Sequence, residues 1–175
     1  MPILYSIPVD LSAFNNLVVY SGSTWPPSPS NTYSVNNPLT FVLQYSGGTY
    51  LYYEYTLWFA SQQIPSGSTV ESVTLYAYVS YASLGNSPIY LKIDFQVGGT
   101  WYYPGLSGTP QVTSAGQTLS AALGNLINVG SRTQFKLRAM YTVNDSAPTA
   151  PNQFNFPLSQ IWLEVAVPGG IQMIV

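Results

Sequence analysis

Along much of the chain, apolar and polar residues alternate strictly. Between positions 88 and 97, Ile89, Leu91, Ile93, Phe95 and Val97 share one parity, and Tyr90, Lys92, Asp94 and Gln96 the other. Successive side chains of a strand point to opposite faces, so this pattern predicts a half-buried β-strand. Residues 132–143 repeat it, with Phe135, Leu137, Ala139, Tyr141 and Val143 inward and Arg132, Gln134, Lys136 and Arg138 outward. In 69–81, Val73, Leu75, Ala77 and Val79 alternate with Ser72, Thr74, Tyr76 and Tyr78. Further strands are expected at 3–9, 17–21, 39–45, 49–60, 100–103 and 159–167. The segment 49–60 carries aromatic residues on both parities, which suits a strand covered on both faces, by core and loops or by core and a neighbouring subunit.

Turn chemistry divides these runs. Gly47-Gly48 and Gly98-Gly99 read as hairpin turns, joining 39–45 to 49–60 and 88–97 to 100–103. The proline-bearing segments 22–38 and 144–157 read as loops. One stretch, 114–127, has Leu119, Ala122, Leu123, Leu126 and Ile127 at helical spacing with Gly130 beyond it, and predicts a short helix in a connecting loop. About eight to ten short strands predict an all-β fold, an antiparallel sandwich of jelly-roll type. A single domain spans 1–167, followed by an apolar C-terminal arm at 168–175.

Composition sharpens this picture. Only ten of the 175 residues are charged: Asp10, Glu54, Glu71, Lys92, Asp94, Arg132, Lys136, Arg138, Asp145 and Glu164. An average domain of this length carries roughly a quarter, about 44. Charge normally keeps protein surfaces apart, so this surface is poorly defended against association. Two explanations stay open: a soluble protein relying on Ser, Thr, Asn and Gln, or a surface covered by neighbours in an assembly. Aromatic residues at 15% and hydrophobic residues at 46% exclude disorder. Four basic residues are too few for sequence-independent nucleic-acid binding. No run approaches the ~18 apolar residues of a membrane helix, and the N-terminus has no basic stretch of a signal peptide.

Residues 64–75, Ile-Pro-Ser-Gly-Ser-Thr-Val-Glu-Ser-Val-Thr-Leu, resemble the start of a strand in jelly-roll sandwich domains of secreted and viral proteins. In that segment Pro65 restricts φ, Gly67 permits the turn, and Val70, Val73 and Leu75 begin the inward row. The whole chain, poor in charge, rich in Tyr, Ser, Thr and Asn and without cysteine, is similar to single jelly-roll coat proteins of icosahedral viruses of hot-spring hosts. That resemblance implies a capsid subunit in a virion, with copies of itself and other capsid proteins as partners.

Candidate chemistry is sparse. The chain has no cysteine and no histidine, so thiolate and imidazole catalysis and ligation are unavailable. A Ser–Lys nucleophile would have to use Lys92 or Lys136, both on polar strand positions. Glu54, Glu71, Asp94 and Glu164 have no spacing that singles out a glycosidase pair. No phosphate-cradling loop is present, and Asp145 stands alone as a cation ligand. Asn144-Asp145-Ser146 forms a glycosylation triplet. No catalytic residue, cofactor, metal, small-molecule substrate or direct sequence-specific nucleic-acid contact is therefore expected, and membrane contact stays open without being indicated.

Two features point to subunit contact. Arg132, Lys136 and Arg138 lie on one parity of one strand and are three of the four cations. They form either a solvated strand face or a docking stripe. The apolar tail, with Ile171, Met173, Ile174 and Val175, either folds onto its own sheet or reaches a neighbour. The alternative function is a secreted or cell-surface carbohydrate-binding or adhesion module, whose platforms would come from Trp25, Tyr52, Tyr53, Trp58, Tyr76, Tyr78, Trp101, Tyr102, Tyr103 and Trp162.

Overall fold

A computed structural model describes residues 1–85, 88–104, 109–141 and 150–169. Among the described residues there are fourteen strands: β1 (Ile3–Pro8), β2 (Asn16–Gly22), β3 (Pro29–Ser34), β4 (Leu39–Ser46), β5 (Thr49–Phe59), β6 (Ser72–Tyr78), β7 (Tyr81–Leu84), β8 (Ile89–Val97), β9 (Thr100–Tyr102), β10 (Gln111–Val112), β11 (Thr118–Ala122), β12 (Thr133–Met140), β13 (Asn152–Phe156) and β14 (Ile161–Val167). Two 3-10 turns, Ser61–Gln63 and Leu158–Gln160, are the helical elements among the described residues.

The strands build a sandwich of two antiparallel sheets. The smaller has the order β1-β14-β6-β11. The larger runs β10-β8-β12-β5-β4-β13-β7, with β2 and β3 beyond β5 and β9 beside β8. Strand β5 is its branch point. Its first residues pair with β4 (Leu43 opposite Tyr52), and its later ones pair with β12 (Leu57 opposite Phe135). Strand β2 pairs with β5 from Tyr50 to Thr56. At one corner two strands change sheets together. β14 lies beside β6, and β13 beside β7, so the chain turns between sheets at Val79–Ser80 and at Pro157.

The alternation decides what fills the space between the sheets. From the smaller sheet come Ile7, Val73, Leu75, Leu163 and Val165. From the larger come Phe41, Tyr55, Leu57, Phe59, Ile93, Phe95, Phe135 and Leu137, all within one buried cluster. An aromatic knot anchors it. Phe41 stacks on Phe154 (5.0 Å between centroids, 8° between planes) and packs against Tyr55 and Phe156. The Tyr55 hydroxyl accepts a hydrogen bond from the Thr40 backbone N–H (3.0 Å). Burial pushes its phenol up to about 12.

The hairpins form where expected. Gly47, Gly48, Gly98 and Gly99 all have positive φ, the conformation a two-residue hairpin turn demands. The pairs Ser46–Thr49 and Val97–Thr100 close those turns. The helix expected in 114–127 is not there. That segment holds β11, paired with β6 from Thr118 opposite Tyr78 to Ala122 opposite Thr74. Leu119, Ala121 and Leu123 are buried while Thr118, Ser120 and Ala122 are exposed, a period of two that the helical spacing of the larger apolar residues concealed. Both proline-rich loops also contain strands. β3 is exposed throughout and carries no apolar alternation to reveal it. β13 buries Asn152, Phe154 and Phe156 immediately before Pro157.

Candidate functional site

The outer face of the larger sheet gathers most of the chain's polar and aromatic chemistry. Register places its side chains in rows across the strands. Trp58 on β5 lies opposite Gln134 on β12, Gln134 opposite Gln96 on β8, and Gln96 opposite Trp101 on β9. One row thus reads Trp58, Gln134, Gln96, Trp101, all half-buried. Three strand spacings separate its ends, roughly 14 Å. The next row pairs Lys136 with Asp94 across β12 and β8. In the row after that, Arg138 lies between Glu54 and Lys92.

In the second and third rows each of Lys136 and Arg138 lies over an aromatic ring. The Lys136 ammonium sits 4.6 Å from the centroid of the Trp101 ring. Arg138 lies 4.0 Å from Glu54 and over the ring of Tyr52. Tyr52 stacks on Tyr20 (4.5 Å, 11°), and Trp25 leans against Tyr52 from the 22–29 segment. These neighbours bury Tyr52 and Glu54 on the face of β5 that points away from Tyr55 and Leu57, and Thr56 on the same face is buried as well. The expected covering of β5 on both sides is thus supplied within the chain, by core on one face and strands and loop on the other. The Tyr20 hydroxyl bonds Glu54 (3.3 Å), and burial together with that carboxylate raises its phenol to about 12.

At the Trp58 end of the first row, the segment Asp10–Asn15 is clasped to the sheet. The Asp10 backbone N–H donates to the Trp58 carbonyl (2.7 Å), and the Trp58 N–H donates to Asn15 Oδ1 (2.7 Å). Asp10 is buried, and both its carboxylate oxygens are used. Oδ1 accepts from the Ser12 N–H (3.0 Å) and hydroxyl (2.6 Å), and Oδ2 from Gln62 Nε2 (2.9 Å) and Arg132 Nε (2.5 Å). The Ser12 bond, then Arg132 and Gln62, hold the Asp10 carboxyl well below the usual carboxylate range. Beside this cluster lies an open depression of about 470 Å³ lined by Trp58, Gln62, Ser131 and Arg132. Of its lining residues, Ser131 is held through its carbonyl by the Ser61 hydroxyl (2.5 Å), which also bonds the Thr133 hydroxyl (2.7 Å).

The three cations of the expected stripe are therefore all engaged with their own chain: Arg132 with Asp10 and Ser12, Lys136 with Trp101, and Arg138 with Glu54 and Tyr52. Their common parity is observed, and each has a partner that periodicity could not reveal. Ile171, Met173, Ile174 and Val175, and the triplet Asn144-Asp145-Ser146, lie outside the described residues. Trp162 stacks on Tyr76 (5.2 Å, 15°) on the outer face of the smaller sheet. Among the described residues no group of three or more acidic side chains comes together to hold a metal. The row Trp58–Gln134–Gln96–Trp101 escaped the sequence reading because its members come from four strands. The parity of each was legible, but the register that aligns them was not.

No protein-family model matches the sequence, and no curated protein matches it. Among solved structures, the chain is similar to the CBM36-1 domain, a carbohydrate-binding module, of a multidomain xylanase from the hindgut metagenome of Trinervitermes trinervoides. The identity is 14%, the TM-score 0.31, and the match covers 91% of this chain and 99% of that one.

Proposed function

We propose that the chain is a non-enzymatic structural subunit that assembles with copies of itself into a shell, in the setting of a virion. The observation that carries this reading is the state of the edge strand β1. Among the described residues it pairs only with β14. It exposes Ile3 (48%) and Leu4 (59%) and carries no charge. Soluble proteins usually blunt such an edge with lysine, proline, a bulge or a covering loop, because its unpaired backbone groups template further pairing. In β1 the terminal Pro8 is such a residue and its carbonyl accepts from the Ala60 N–H, so residues 3–7 form the open part of the edge. The rest of the surface offers little defence. Ten formal charges serve 8651 Å² of accessible surface, about one for each partner's share of a standard interface. Arg132 and Arg138 are already paired with carboxylates of their own chain. Leu11, Phe14, Tyr33 and Leu126 add exposed apolar area. The virion setting rests on the likeness of composition to hot-spring virus coat proteins.

Negative-stain microscopy and light scattering of the purified chain test this reading. Ordered oligomers or particles are expected for the wild type. Leu4→Lys places a charge on the β1 edge at an exposed position and is expected to shift the population toward monomer by tenfold or more in association constant, with melting little changed. A wild-type chain that stays monomeric at high concentration sinks the reading.

A second reading, a carbohydrate-binding or adhesion module, is favoured by the row of Trp58, Gln134, Gln96 and Trp101 with its adjoining depression. It anticipates a small soluble species that retains glycans.

A further inference from the structure

We propose that the outer face of the larger sheet binds a neutral oligosaccharide, laid across the strands from the Trp58 depression toward Trp101. The assignment rests on the second reading and gives it a site and a ligand class. Four observations converge on it.

The first is the shape of the surface. Two indoles close a half-buried row whose middle is two carboxamides. Sugar rings offer C–H faces that pack on aromatic rings and hydroxyls that pair with planar amides, so this alternation of flat apolar and planar polar groups suits them. The roughly 14 Å between the ends calls for several linked sugars rather than one.

The second is unspent hydrogen-bonding capacity. Gln134 makes no side-chain hydrogen bond among the described residues, and Gln96 uses only Nε2, to the Gly99 carbonyl (3.3 Å). Gln62 gives one Nε2 hydrogen to Asp10 and keeps the other and Oε1. Arg132 gives Nε to Asp10 and one Nη2 hydrogen to Ser12, and keeps Nη1. Donors and acceptors thus stand side by side, as vicinal hydroxyls require.

The third is preorganisation. The Asp10 carboxylate fixes Gln62 and Arg132 through Oδ2, and Ser61 fixes the Ser131 carbonyl. These bonds hold them in place without a ligand, which lowers part of the entropic cost of binding.

The fourth is charge. Arg132 is paired with Asp10, the four residues of the row carry no charge, and the Lys136 ammonium lies against the Trp101 ring. A phosphate, sulfate or carboxylate ligand is held best by several converging cations with no carboxylate partner, and the row supplies no such cluster. The depression of about 470 Å³ lies within the ~300–1,000 Å³ range of ligand clefts.

Calorimetric titration tests the proposal, using gluco-, xylo- and manno-oligosaccharides of one to six units and a heparin hexasaccharide as the anionic probe. At least one neutral series is expected to bind, with affinity rising tenfold or more from the monosaccharide to the longer chains. Trp58→Ala and Trp101→Ala are each expected to weaken binding about tenfold or more, and Gln134→Ala several-fold. Trp162→Ala, on the opposite sheet, should leave it unchanged. Because Trp58 is clasped through its backbone, circular dichroism should confirm each variant folded, and Trp58→Phe, which keeps a flat ring, should retain part of the affinity. Neutral glycan binding that neither Trp58→Ala nor Trp101→Ala affects overturns this site while sparing the module reading. Absence of binding to every neutral series, or binding to heparin alone, overturns both.

Discussion

Phe41→Ala is expected to destabilise the chain by about 3–5 kcal/mol, the usual cost of emptying a buried phenylalanine site. Phe41 is fully buried on β4, at the junction where β5, β13 and the core of the sandwich meet. Its ring lies flat on Phe154 and touches Tyr55 and Phe156 at steeper angles. Removing it leaves a void lined by three rings, which cannot collapse together because each is tied to a different ladder position. Tyr55 is further held by its bond from Thr40. For a chain of this size, each kcal/mol corresponds to about 2–4 °C, so a fall in Tm of about 6–20 °C is expected. A loss below about 1 kcal/mol in thermal or denaturant unfolding would show that the aromatic knot does not anchor the sandwich.

Asp10→Asn is expected to cost about 1.5–3 kcal/mol at pH 7, through lost hydrogen bonds to a charged acceptor. Arg132 is 43% exposed, so solvent screens the ion pair and the hydrogen bonds carry most of the effect. An asparagine can accept on one side only, and its amide would face either the Ser12 donors or those of Gln62 and Arg132. The loss has a pH signature. Asp10 is depressed in the folded state, so its contribution is complete well above the unfolded value of 3.8 and disappears as pH falls from there through the folded value. The gap in Tm between wild type and Asp10→Asn should therefore stay constant from pH 7 to pH 5 and narrow below pH 4. A gap unchanged at pH 2 would falsify the assignment of Asp10 as the acid-sensitive clasp. With six acidic residues in all, few carboxylate interactions can be lost on acidification, and the β-type circular dichroism of the wild type should persist at pH 3.

The alternation of residues 72–78, 89–97 and 133–140 was sufficient to place Val73, Leu75, Ile93, Phe95, Phe135 and Leu137 inside and Gln134, Lys136 and Arg138 outside. Two glycine pairs located two hairpins correctly, because an isolated dipeptide with positive φ at both positions has few other uses. Where alternation was weak, the reading failed. In 114–127, Ala122 and Leu126 imitated a helical stripe, and pairing with β6 overrode that local preference. In 144–157, proline masked the strand that carries Phe154 and Phe156 into the core.

By itself, then, the amino-acid order determined the fold class, the core face of each strongly periodic strand and the scarcity of charge. These depend on side-chain polarity at a spacing of two, a local property. Tertiary structure alone decided which strands are neighbours and in what register. That choice brought Arg132 to Asp10 across 122 positions, set Lys136 over Trp101, and aligned Trp58, Gln134, Gln96 and Trp101 in one row. The reason is physical. Parity says which face a side chain occupies, but a row across a sheet is created by long-range pairing, and its energy resides in contacts between residues that the sequence keeps far apart.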